Sequence, residues 1–281
     1  VLMMGYLYCQ SGYKVRFASD NADHLYLLVA SDYFMYGKLS YEIDGDIYYP
    51  VQEAKPVLHI CKAKFPNESN LSLGITKAMQ LDNTEAESRV IKSKAYPDMK
   101  IDVAVNRSLI DFYNTYPSAY TNNDKMTYFR VYADTPMNED VKKQTYPALR
   151  SCLQGLSEHQ AVSRLLNFVQ TGFEYEYDET IWGCDRAFFA EETLYYPYCD
   201  CEDRSILLTR LIRDLLGLDC VLIYYPGHLA CAVNFTQKEK GDYYMYNQKE
   251  YTVCDPTYIN APIGVQMPNF KDKEATVVPI K

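Results

Sequence analysis

Three residues have the types and the order that nucleophilic chemistry needs. In YCDCEDRSILL, residues 198 to 208, Cys201 stands where a long apolar helical stripe begins. His228 follows 27 residues later and Asp255 another 27 after that. A thiol at a helix N-terminus faces unsatisfied backbone amides and the positive end of the macrodipole. Both favour thiolate, and comparable sites ionise at roughly 3.5 to 7.5. Acyl transfer by such a thiolate also requires a base that holds and delivers a proton, and a third group that fixes the orientation of that base. His228 and Asp255 are of the right types. A different chemistry competes for the same residues: Cys199, Cys201, His228 and Cys254 form a Cys and His set suited to zinc, although C-x-C is tighter than the usual knuckle spacing.

The elements that must position these side chains are written around them. Ile206, Leu207, Leu208, Leu211, Ile212, Leu215 and Leu216 predict a helix over 202–216, with Asp200 as its N-cap and Gly217 at its stop. Four strands are predicted to follow as a meander: CVLIYY (220–225), HLACAVNF (228–235), DYYMY (242–246) and EYTVCD (250–255). The two-residue period puts His228 on a face with Ala230, Ala232 and Asn234, and places Asp255 at the end of the fourth strand. Upstream, helical spacing is expected over 138–153 and 158–172, the second opened by a capping box of Ser157 and Gln160. Before residue 136 the pattern is one of short strands, among them HLYLLVA, YEI and DIYYPV around the Asp44-Gly45 turn, VLHICKAKF, MKIDVAV and MTYFRVYA. That spacing predicts an antiparallel sandwich or barrel.

Composition excludes some function classes. A net charge of -9, from 37 acids and 28 bases, argues against a nucleic-acid footprint. No run approaches the ~20 apolar residues needed to cross a bilayer, so no membrane span is expected. The opening VLMMGYLYCQSGY lacks the charged region of a signal peptide; a chain starting at Val1 fits an exported product whose targeting segment is not in this sequence. The compartment and the oligomeric state are left open. Nine cysteines are an odd number, so at least one thiol is free. Cys61, Cys152, Cys220 and Cys231, each among apolar neighbours, are expected to be small buried hydrophobes. The 28 tyrosines fit wet-edged strands or a binding surface.

DCEDRSILLTRLIRDLLGL, GHLACAV and CDPTYI resemble the Cys, His and Asp motifs of the transglutaminase-like superfamily, over roughly residues 157 to 264. The resemblance implies a papain-like fold with Cys201 as nucleophile, His228 as general base and Asp255 as the residue that orients it. It also implies an oxyanion hole made by the amide of Cys201 and a tryptophan, for which Trp182 is the candidate. Two positions depart from the pattern: Cys199 stands where the family commonly has glycine, and Ala230 where it often has an aromatic. The expected fold is α+β, with a sandwich-like β-rich domain over 1–135 and a transglutaminase-like catalytic domain over 136–281. The expected reaction is acyl transfer through a thioester on a peptide or protein substrate, with water as acceptor and no metal or organic cofactor. An amine acceptor, as in a protein-glutamine transglutaminase, is the alternative. A non-catalytic module that binds peptide or glycan on the same scaffold is another.

Overall fold

Asp44 and Gly45 take positive φ values of 55° and 86°. That two-residue turn matches the twist of paired strands, and Tyr41–Ile43 accordingly folds back on Asp46–Pro50. The hairpin is the edge of a five-stranded antiparallel sheet that runs through Leu25–Ser31 and Val15–Ser19 to His59–Ile60. Tyr26, Leu28 and Ala30 of the central strand pack with Ala18 and Tyr48 on one face. Leu27 and Val29 pack with Val15 on the other, where Tyr8 and Cys9 of the Leu2–Gln10 helix, Phe65 and Leu71 cover them. The covering layer on that face is helix and loop, and a separate two-stranded sheet pairs Tyr33–Met35 with Ala119–Thr121.

The computed structural model describes residues 1–82, 87–121 and 124–281. The chain divides into two compact units, one of residues 1–74 and 117–128, the other of 75–116 and 129–281. The division therefore does not fall at 135/136. Residues 75–116 belong to the second unit because Ile91, Met99, Ile101, Val103 and Ile110 enter the same core as Val141, Leu149, Leu165 and Leu166. MTYFRVYA is also corrected: Thr127–Asp134 is a helix. The Asp124 carboxylate accepts the Met126 amide at 2.9 Å and the Asp124 carbonyl accepts the Thr127 amide at 3.1 Å, a local start signal that overrides the strand preference of the aromatics.

In the second unit the helices Glu139–Leu153, Glu158–Gly172 and Cys201–Leu216 form where the periodicity places them. Ser157 and Gln160 make the expected capping box, and Gly217 ends the third helix at φ 69°. The sheet runs in the order Tyr243–Tyr246, Lys249–Cys254, His228–Asn234, Asp219–Tyr225, Thr276–Pro279, antiparallel throughout. Cys220, Cys231, Val233 and Cys254 face Leu207, Leu208, Leu211 and Ile212 of the third helix. On the opposite face Val221, Ile223, Ala230, Ala232 and Tyr251 cluster together. Each leucine of the helix seam is worth about 2–5 kcal/mol against alanine, so the helix is firmly held on the two central strands. Among the described residues, no helix is long and apolar enough to cross a membrane.

Candidate active site

Asp200 is the N-cap and Cys201 the first helical residue, as the sequence predicts. The helix is pinned to the sheet close to this end: the Ser205 hydroxyl donates to the Leu229 carbonyl at 2.9 Å. The same contact brings the Leu229 amide to the Cys201 sulfur. Cys201 thus meets the strand at the residue next to His228.

His228 Nε2 and Asp255 Oδ2 are 2.8 Å apart, and both side chains are buried. A carboxylate accepts, so Nε2 carries the hydrogen of this contact. Asp255 is itself fixed. Its Oδ1 accepts the amides of Thr257 and Tyr258 at 2.9 and 3.2 Å, the turn geometry expected before Pro256. Gln170 Nε2, reaching across from the Glu158–Gly172 helix, donates to the carbonyls of Asp255, Tyr258 and Ala261 at 3.1, 2.9 and 3.1 Å. Two aromatic rings, themselves 5.3 Å apart, pack against the imidazole. Phe270 stacks on it at 4.6 Å and 17°, Tyr225 at 5.9 Å and 19°.

The charge around the thiol departs from expectation. Cys201 is 9% exposed, and its thiol donates to Glu202 Oε2 at 3.1 Å. Burial, then the charges of Glu202 and Asp200, push the thiol well above its ordinary range, so the helix N-terminus does not prevail here. The carboxylates are perturbed in the same direction. Burial lifts Asp178 to about 7 and Asp200 to about 9, with Glu202 adding to the second, and burial also raises Glu202 and Asp203. Each of these shifts disfavours the charged form, of the thiol as of the carboxylates.

The remaining candidates have other partners. Cys199 takes the Arg204 Nε–H at 3.4 Å and lies against the Glu174 carbonyl, and burial pushes it up to about 12. Among the described residues, no close group of metal-ligating atoms joins Cys199, Cys201, His228 and Cys254; Cys254 stands opposite Cys231 in the sheet. Trp182 is half-buried, edge-on to Phe188 and Tyr196 with the Arg186 guanidinium over its ring. All nine thiols are free; Cys220 and Cys231 are buried as expected, whereas Cys61, just past the edge strand, is exposed and Cys152 is half-buried.

Sequence reading missed Gln170, Tyr225, Phe270 and the pocket acids. For Gln170 a signal existed, since it continues the apolar face of Leu166 and Val169 and is 2% exposed. For Glu202 and Asp203 there was none: acids in a first helical turn ordinarily face solvent and serve the dipole. Compared with protein-family models and with curated proteins, the chain matches none.

Proposed function

We propose that the second unit is a papain-like, transglutaminase-like catalytic core that performs cysteine-dependent acyl transfer on a peptide or protein substrate. The observation that carries this reading is the convergence of the buried His228–Asp255 pair at 2.8 Å with a cysteine whose sulfur lies at the neighbouring Leu229 amide. A hydrogen-bonded His–Asp pair is what a base and its orienting acid require, and the cysteine reaches the strand one residue from that histidine.

In this reading Cys201 Sγ attacks the carbonyl carbon as its proton passes to His228 Nδ1. The imidazolium then protonates the departing amine, leaving a thioester on Cys201. Water, deprotonated by His228, releases the acid and restores the thiol. The Cys201 amide, one of the helix N–H groups without an intrahelical acceptor, is placed to stabilise the oxyanion. We assign no such part to Trp182, whose ring is taken up by Phe188, Tyr196 and Arg186.

The test is turnover of a chromogenic peptide amide with and without an added primary amine. The reading expects the free acid as product, unchanged by the amine, and no turnover in Cys201→Ala. Formation of the amine adduct would make the protein a transglutaminase. Turnover that survives in Cys201→Ala removes the mechanism altogether.

A further inference from the structure

Five carboxylates crowd the start of the Cys201–Leu216 helix. Oxygens of Asp178, Asp200 and Asp203 lie within 4.8 Å of one another, and so do those of Asp178, Asp185 and Glu202. Asp185 is exposed, but Asp178, Asp200, Glu202 and Asp203 are 4%, 7%, 9% and 0% exposed. Among the described residues, none of the five is ion-paired with a basic side chain. The two nearby arginines are engaged elsewhere: the guanidinium of Arg186 goes to Glu192 and Asn114, and that of Arg204 to the carbonyls of Gln170 and Phe173 and to Cys199.

Backbone amides meet part of the demand. Asp178 accepts from the Arg186 amide at 2.7 Å, and Asp203 from those of Phe188 and Asp200 at 2.8 and 3.1 Å. Asp200 Oδ1 is different. It is fully buried and has no hydrogen-bond partner, in a side chain that lies among the carboxylates of Asp178, Asp203 and Glu202 and the Cys201 thiol. A cation would satisfy that oxygen and offset the charge of the carboxylates around it. Oxygens within 4.8 Å of one another are close enough to share one cation. An all-carboxylate set selects Ca²⁺, Mg²⁺ or Mn²⁺ over zinc or copper.

We propose that Asp178, Asp200 and Asp203, with Glu202 and Asp185 at the rim, bind a hard divalent cation beside Cys201. Protons and the cation compete for the same oxygens, so affinity rises with pH.

The test is calorimetric titration of calcium, magnesium and manganese chlorides, each separately, into the chelator-stripped full chain near neutral pH. Run in parallel on Cys201→Ala, it reads the cation site with the thiol chemistry removed. The expected result is saturable binding of at least one cation at a single site, with a dissociation constant below about 1 mM. Asp200→Asn, nearly isosteric, should weaken it about tenfold or more, whereas Asp219→Asn, paired with Lys249 on the sheet, should leave it unchanged. Should Asp200→Asn not fold, Asp178→Asn takes its place. No saturable binding of any of the three up to about 10 mM, an order above the weakest oxygen sites, overturns the proposal. So does binding that neither variant weakens.

Discussion

Replacing Glu202 by glutamine should make Cys201 react faster with iodoacetamide. The thiol donates to Glu202 Oε2 at 3.1 Å. A full negative charge at that distance opposes thiolate formation by about 5 kcal/mol at an effective dielectric near 20. Glu202 does not carry that full charge, because burial raises it and it is hydrogen-bonded to Asp200. If a quarter to a half of the repulsion is released, about 1.4 to 2.7 kcal/mol, the thiolate population rises about tenfold to hundredfold. A less basic thiolate is also a weaker nucleophile, with a Brønsted slope of about 0.4–0.5, so the observed rate constant rises about threefold to tenfold. The assay is timed alkylation of chelator-stripped protein near neutral pH, read by mass spectrometry on the peptide containing Cys201, with exposed Cys61 as internal reference. A Cys201 rate that is unchanged or slower relative to Cys61 refutes the claim that the acidic pocket holds the thiol at rest.

Three further outcomes are expected. Asp255→Asn keeps the acceptor for Thr257 and Tyr258 but removes the charge facing His228, so acylation of Cys201 by an activated amide should fall by about three to four orders of magnitude with circular dichroism unchanged; a loss under about tenfold contradicts the orienting role. Gln170→Met removes the donor to three carbonyls, those of Asp255 and Ala261 buried, and should cost about 1–3 kcal/mol in urea unfolding, and no measurable loss would contradict the idea that it fixes the 255–261 turn. Burial lifts Glu191 and Glu192 to about 7 from an ordinary 4.5. Between those values the folded chain keeps protons that the unfolded chain gives up, so stability should fall as pH rises, by at most about 1.4 kcal/mol per pH unit and group. Glu191→Gln should flatten that slope in thermal melts, and an unchanged slope would show that Glu191 does not titrate there.

What was legible in the sequence was what neighbours in the chain decide. Ser157 and Gln160, Asp200 and Gly217 mark helix ends through contacts a few residues apart, and Asp44-Gly45 sets its hairpin alone. The periods of the Cys201–Leu216 helix and of the strands after it were therefore readable. With them came the positions of Cys201, His228 and Asp255, since a helix start, a strand start and a strand end are local features.

What was not legible depends on long-range burial. The unit boundary lies elsewhere because Ile101 and Val103 find their core partners in helices some forty or more residues downstream. The thiol is not depressed because Cys201 is itself buried and the charges of Glu202 and Asp200 lie against it, and Glu202, which looks like a solvated first-turn acid, is closed off by packing. Phe270 reaches His228 from a short 3-10 turn that no periodicity announces.

The central claim is that Cys201 is an acyl-accepting nucleophile served by His228. The most direct measurement is the mass of the Cys201 peptide after a short incubation of the full chain with an activated amide and an acid quench. The account predicts an added acyl group on Cys201 that is lost on treatment with hydroxylamine, absent in Cys201→Ala and strongly diminished in His228→Ala. An unmodified Cys201 peptide while substrate is consumed, or acylation that His228→Ala leaves at full rate, would contradict it.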